Sequence, residues 1–254
     1  MTLDPKLIAT RFGNALGTYD QAAQAQKEIA HRLVQYLMEQ IATPPSSVLE
    51  IGCGTGFLTQ ELSQQFPEAR YTLNDLVPQS ETILRQKLPH IECQFLMGDA
   101  EQMEWGNGFH LIASSSAIQW WHTPTHFFTK AHQSLTEEGW LACSTFLPDN
   151  LGELTPILSQ TLPYPTAQEY RKALALFSYA ESHQHTTTLY FPHLLSLLQH
   201  LKATGTNALP SQQKGLWTPH RLKAMETTLR NHLELEESDP IPLTYKAILF
   251  IAKK

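Results

Sequence analysis

Cysteine is scarce: three residues in 254, Cys53, Cys93 and Cys143, each among apolar neighbours. That distribution offers neither a zinc-type CxxC spacing nor a disulfide framework, and it suits a reducing cytoplasm. Long apolar runs are missing as well. No stretch approaches the roughly 20 residues needed to cross a bilayer. The opening "MTLDPKLIATRFG" lacks a continuous apolar core and a small-residue cleavage site, so neither secretion nor a membrane partner is expected. Charged residues make up only 17%, and no run of Lys/Arg is interleaved with aromatics. Nucleic acid is therefore a poor partner. No Ser-His-Asp or Cys-His arrangement for nucleophilic catalysis stands out.

Apolar residues, at 42% of 254, are enough for one core-bearing domain with an insertion. The formal charge of -6 is uneven: residues 1–150 hold 8 Lys+Arg against 16 Asp+Glu, whereas residues 151–254 hold 10 against 8. An acidic partner should prefer the C-terminal half.

Ile29, Leu33, Tyr36, Leu37 and Ile41 recur at helical spacing and predict a helix over 20–42, ended by Pro44-Pro45. Short apolar runs then alternate with helical stretches. The strands are "SVLEI", "RYTLND", "IECQFL", "FHLIAS" and "GWLACSTF"; the helices fall near 55–66, 78–88 and 123–135. After Pro148 come helices near 151–160 and 167–177, a strand "HTTTLYF", helices near 193–203 and 219–230, and a strand "LTYKAILFIA". The alternation predicts an α/β fold: a Rossmann-like, doubly wound, seven-stranded, mostly parallel sheet with helices on both faces. One domain is expected over 1–254, with an N-terminal helical cap (1–42), a cofactor-binding core (43–147) and a substrate-side half (148–254). A helical lid insertion, about 192–240, precedes the last strand.

The segment "SSVLEIGCGTGFL" carries the first chemical signal. Val48 to Ile51 read as a buried strand, and Gly52, Gly54 and Gly56 as a turn that lets backbone approach a ligand. Position 57 is Phe, so the nicotinamide fingerprint fails. Glu50, two residues before the first glycine, is expected to face the same crevice, where a carboxylate suits a cationic ligand. Asp75 ends the second strand, placed to accept both hydroxyls of a ribose. Asp99, followed by Ala100, comes after the third strand, placed for the exocyclic amine of an adenine. A tight turn that holds no ligand is the structural alternative.

Glu-x-Gly-x-Gly-x-Gly, then Asp75, then Asp99 resembles the ordered signature of S-adenosylmethionine-dependent methyltransferases of the seven-stranded class. Further segments are similar to the malonyl-[acyl-carrier protein] O-methyltransferases of biotin synthesis: "IATRFGNALGTYDQAAQAQ" at 8–26, "LEIGCGTG" at 49–56, "SAIQWW" at 116–121, "LYFPHLLSLLQHLKATGTN" at 189–207 and "PLTYKAILFIAKK" at 242–254. The resemblance implies S-adenosylmethionine as cofactor and methylation of the free carboxyl of malonyl on an acyl carrier protein, which lets fatty-acid synthesis extend it toward pimeloyl. The chain departs from common methyltransferase patterns at Phe109-His110-Leu111, where Phe-Asp-Leu is usual, and at the 137–139 turn. Its segment 160–170 is short for the family, which leaves substrate contacts there unassigned. A methyltransferase for another small carboxylic acid, and a non-catalytic S-adenosylmethionine-binding protein, stay open.

Carboxylate methylation needs no general base, because a malonyl carboxyl with a pKa of about 4 is already ionised at neutral pH. Tyr19, Gln119, Trp120 and Trp121 are the candidates for closing over donor and substrate, with core packing as the alternative for the aromatics. His122 and His126, and His183 and His185, have a spacing that could ligate metal, but no carboxylate or cysteine partner matches it, and no metal is expected. Lys202, Lys214, Arg221 and Lys223 are candidates for carrier docking, or ordinary solvated charges.

Overall fold

The computed structural model describes residues 4–157, 162–206 and 218–254. One seven-stranded sheet has the order β3-β2-β1-β4-β5-β7-β6. Strands β1 (Ser47–Ile51), β2 (Arg70–Asn74), β3 (Cys93–Phe95), β4 (Phe109–Ser115) and β5 (Leu135–Phe146) run parallel. β7 (Ile241–Lys253) lies antiparallel between β5 and β6 (Tyr179–Phe191).

The central parallel strands carry short continuous apolar runs, such as Leu111 to Ala113 and Leu141 to Cys143, because both faces are covered. In β1, Val48 packs with Leu33, Leu37 and Leu62 on one face, while Leu49 and Ile51 pack with Ile112, Phe127 and Phe128 on the other. Each such side chain, fully buried, contributes about 1.5–3 kcal/mol. The covering helices include α1 (Pro5–Ala22), α2 (Gln24–Gln40), α3 (Phe57–Gln65), α4 (Gln79–Lys87), α5 (His126–Ser134) and α6 (Ala167–Leu174). The chain passes from β1 outward to β2 and β3, then returns to place β4 on the other side of β1. The reversal opens a crevice at the C-terminal ends of β1 and β4, the position where open α/β sheets take ligands.

Several sequence expectations shift. The helix expected over 20–42 is two helices broken at Ala23, and α1 begins at Pro5, where the Asp4 side chain accepts from the Lys6 amide at 2.9 Å. α1 was missed because its apolar face (Ile8, Phe12, Ala15, Leu16, Tyr19) is interrupted by two glycines that lower helix propensity. The helix near 151–160 reduces, among described residues, to one short turn at Gly152–Leu154. β6 extends well upstream of "HTTTLYF", because β7 supplies a continuous partner from Tyr179 to Phe191.

α7 (Leu194–Ala203) and α8 (Pro219–His232) fall between β6 and β7, as the insertion reading expects. The nearly buried Arg230 ties this insertion to its base, bonding Glu226 and the carbonyls of Pro192, Glu236 and Asp239. Among the described residues no helix is long and apolar enough to cross a membrane.

Candidate active site

Four strand ends meet at one cavity of about 140 Å³. Gly52, Gly54 and Thr55 come from the turn after β1, Asn74 to Val77 from the end of β2, Gly98 to Glu101 from the loop after β3, and Ser115 to Ala117 with Trp120 to His122 from the end of β4. The fifth wall is α1, whose Pro5, Ile8, Phe12, Leu16 and Tyr19 face the cavity at helical spacing.

α1 is held over the opening from several sides. Phe12 meets Trp120 edge-on with ring centroids 5.3 Å apart, and Tyr19 lies against Phe57 at 5.8 Å. Asp20 pairs with Lys87, whose ammonium also donates to the Thr55 carbonyl at 2.9 Å, so the helix end is bound to the glycine turn. Thr18 donates to the Ala203 carbonyl of α7 at 3.2 Å, which links the same helix to the insertion.

The three glycines of the turn serve different ends. A Cβ on Gly56 would stand 2.3 Å from Leu84 Cδ2, and one on Gly52 would stand 2.3 Å from Ala117 Cβ, so these two let protein pack on protein. Gly54 has a φ of +54°, and a Cβ there would meet nothing within 4 Å. Its free side is a cradle at the cavity wall, which protein packing does not need.

Asp75, 8% exposed, accepts from the Gly54 amide at 2.7 Å and from the Val77 amide at 2.8 Å. Burial pushes its carboxyl up, and these amide bonds pull the other way. The residue lines the cavity. Asp99 also lines it, with Oδ1 accepting from the Glu101 amide at 3.0 Å. The neighbouring Ala100 is buried, and its carbonyl accepts from Trp105 Nε1 at 2.9 Å and Lys130 Nζ at 2.8 Å.

Glu50 does not reach the main cavity. It lies in a smaller adjoining chamber, 1% exposed, accepting from Thr59 Oγ1 at 2.7 Å. Burial, opposed by the Thr59 bond and helped by the Asp75 charge, pushes its pKa up to about 8. Tyr19 borders both chambers. Burial, then the charges of Asp75 and Asp20, raise its phenol above the usual range.

Trp120 and Trp121 line the cavity, but Gln119 turns away from it. The Gln119 amide donates to the Ser116 carbonyl at 2.6 Å and accepts from Thr145 at 3.4 Å, because the short 3-10 turn Ile118–Trp120 points successive side chains about a third of a turn apart. Trp121 is also core, meeting Trp105 and Phe127. His122 lines the cavity and bonds Glu101, while His183 stacks on Tyr36 at 3.8 Å and His185 lies 3.2 Å from Glu28. Among the described residues no group of three or more His, Cys, Asp or Glu is placed to hold a metal ion.

Lys202 is exposed on α7, Lys223 is exposed on α8 and Arg221 is half-buried there; Lys214 lies outside the described residues. Sequence reasoning missed Gln26, a buried polar side chain in line with Ile29, Leu33 and Leu37 on the core face of α2. A glutamine on an apolar stripe is the signal that could have found it. It also missed Lys130, which carries no motif and acts through backbone carbonyls and the faces of Trp105 and Trp121.

A glycine cradle, two carboxylates at successive strand ends and a capping helix at the β1/β4 switch define a Rossmann-like methyltransferase. Residues 48–139 match the methyltransferase domain family model. Among solved structures, the chain is similar to a putative methyltransferase from Bacillus halodurans (TM-score 0.63, 16% identity, covering 89% of this chain and 98% of that one). It is also similar to the plantazolicin methyltransferase BpumL in complex with SAH (TM-score 0.53, 14% identity, 98% and 97% covered). Among curated proteins, it is 33% identical over 260 residues to the malonyl-[acyl-carrier protein] O-methyltransferase of Bacteroides thetaiotaomicron, covering 99% of both chains. The protein of the same name from Haemophilus ducreyi is 34% identical over 257 residues, with 99% and 98% covered. The chain belongs to the malonyl-[acyl-carrier protein] O-methyltransferase family.

Proposed function

We propose that this chain is an enzyme that transfers a methyl group from S-adenosylmethionine to the free carboxylate of malonyl carried on acyl carrier protein, giving a methyl ester that serves pimeloyl and biotin synthesis in the cytoplasm. The observation that carries the reading is the single cavity where Gly54, Asp75 and Asp99 meet, in a chain whose full-length relatives bear that activity's name. The donor fits the residues present: nothing in the protein fills the space beside Gly54, and the Asp75 carboxylate lines the same cavity as an acceptor suited to ribose hydroxyls. Gly52 and Gly56 shape the turn, Asp99 and Ala100 would hold the adenine, and Glu50 stands behind the turn.

When bound, the donor would supply an electrophilic sulfonium methyl to a carboxylate oxygen, the sulfur–methyl bond breaking as the oxygen–methyl bond forms, with neutral S-adenosylhomocysteine as the leaving group. The carboxylate is ionised already, so neither a protein base nor a metal is required to make the nucleophile. What the chain contributes is alignment and exclusion of water, and orientation alone can remove roughly 7–11 kcal/mol from such a barrier. Tyr19, Trp120 and Trp121 are positioned to supply both, with α1 as the cap, residues 43–147 as the donor-binding core and 148–254 as the substrate side. Lys202, Arg221 and Lys223 are the basic groups offered to an acidic carrier.

The test is an assay with methyl-labelled donor against malonyl-acyl carrier protein, malonyl-coenzyme A and free dicarboxylates. Label in a base-labile ester on the carrier is expected. Transfer only to free acids would replace the substrate, and binding without transfer to any acceptor would remove the catalytic reading.

A further inference from the structure

Helix α7 of the insertion ends on the cap. Its last turn closes at the fully buried Thr204 and at Gly205, whose φ of +69° is the left-handed backbone that commonly follows a helix. The sheet fixes this end, because His200 Nε2 lies 2.8 Å from the hydroxyl of Tyr245, a buried residue of β7. From the other side, Thr18 of α1 donates to the Ala203 carbonyl at 3.2 Å. Phe12 of α1 then lies so close to Gly205 that a Cβ there would stand 2.7 Å from Phe12 Cδ1 and 2.9 Å from its Cε1. A left-handed cap asks for the backbone freedom of glycine. It does not ask for an aromatic ring in the place of the side chain.

The ring that Gly205 admits belongs to the cavity. Phe12 lines it and meets Trp120 edge-on, and both join Ile8, Leu76, Leu162 and Tyr164 in one small apolar cluster. That cluster unites the cap, the turn after β4 and the half of the chain assigned above to the substrate. Tyr19, which packs beside the glycine turn on Phe57, stands about 10 Å further along α1 at helical rise. Phe12 is thus set apart from the glycine turn, in a wall without charge that suits the carbon chain and thioester of an acceptor. We propose that Gly205 is a positioning residue for the acceptor: by leaving the place of a side chain empty, it lets the insertion seat Phe12 against Trp120, and this pair forms the wall along which the uncharged part of the acceptor lies. The inference rests on the carrier-bound malonyl reading given above. It makes the insertion part of the acceptor wall although no described residue of α7 or α8 lines the cavity.

Steady-state kinetics with malonyl-acyl carrier protein and calorimetric titration with S-adenosylhomocysteine test the assignment. Gly205→Ala should raise KM for the carrier by about tenfold, with kcat and the dissociation constant of S-adenosylhomocysteine within about twofold of the parent. Gly205→Asn should do the same, since asparagine tolerates the left-handed backbone yet still carries a Cβ. Adding Phe12→Leu to Gly205→Ala should bring KM back to within about threefold of the parent, because the new methyl fills the room the ring gives up. A parental KM in Gly205→Asn would reduce the glycine to a helix cap, and a loss in Gly205→Ala that Phe12→Leu leaves in place would take the ring out of the account; either result overturns the proposal. Should the Gly205 variants fail to fold, Phe12→Leu alone decides: the slack wall should raise KM for the carrier by about fivefold or more with donor affinity kept, and a parental KM overturns the assignment. An active parent whose kinetics Gly205→Ala leaves unaltered overturns this assignment alone, whereas a parent that methylates no thioester overturns the functional reading and the assignment with it.

Discussion

The Gly54 amide donates to the Asp75 carboxylate at 2.7 Å, joining the turn after the first strand to the end of the second before any ligand is considered. Val77 donates to the other oxygen at 2.8 Å, so one carboxylate orders both walls of the cavity. A residue expected to act only on ribose is thus also a clasp between two loops.

Asp75→Ala should therefore lose twice. Removing a charge-assisted ribose contact weakens S-adenosylhomocysteine binding by about 1.5–3 kcal/mol, and stranding the Gly54 amide lowers the melting temperature. Asp75→Asn should recover little, since one of the two amides would then face an NH₂ group. Calorimetric affinity equal to the parent's would refute the role.

Gly54→Ala and Gly56→Ala should separate binding from folding. At Gly54 the substitution meets no protein atom, costs roughly the 1–2 kcal/mol of a left-handed non-glycine residue, and projects its methyl into the cavity. Donor binding should collapse in a folded protein. At Gly56 the methyl meets Leu84 at 2.3 Å, and the expected result is a much larger loss of stability. Thermal melts with and without S-adenosylhomocysteine read both effects.

Glu50 sets a pH dependence whose sign is fixed by burial. Its carboxyl ionises near 4.5 ordinarily and near 8 in the fold, so across that window the folded state holds the extra proton. Stability from this group falls as pH rises through the window, by up to about 1.4 kcal/mol per pH unit, and levels off above it. Urea unfolding of Glu50→Gln and the parent should show the variant gaining on the parent from mildly acid to mildly alkaline pH. A gap that stays constant with pH would mean Glu50 ionises normally.

Lys130 donates to the carbonyls of Ala100, Glu101 and Met103 at 2.8, 3.1 and 2.7 Å and lies 4.9 Å from the Trp105 ring centroid. It holds the loop that carries Asp99 and never faces the reacting atoms. Lys130→Met should raise KM for the donor by roughly tenfold, the scale of a lost charged hydrogen bond, while leaving kcat close to that of the parent. Lys130→Arg should restore part of the loss. A fall in kcat with KM unchanged would contradict a positioning role.

The sheet and the loops around the cavity were legible because their signals are local: apolar runs between helical periods, glycines at alternate positions and acids at strand ends. Asp75 and Asp99 reach the cavity for that reason. Glu50 went into a separate chamber because its strand position fixes its side only by alternation, and Thr59, in the first turn of α3, captures it. Gln119 was misread through its neighbours, since a three-residue helical turn rotates adjacent side chains apart. The cap helix and Gln26 depend on contacts between segments far apart in sequence, and spacing within one segment holds no record of those.

The reversed strand β7 has a consequence for biosynthesis. Among the described residues it is the only neighbour of β6, and it separates that strand from β5, yet α7 and α8 are translated between β6 and β7. Until β7 emerges from the ribosome, β5 presents an open strand edge and β6 has no native partner, so the nascent protein carries unprotected edges of the kind that template aggregation. The long-range pairing that finishes the sheet is also its slowest kind to form. Expression at lower temperature, or with chaperones that shield strand edges, should raise the soluble yield by acting on that interval, with no change in the stability of the finished fold.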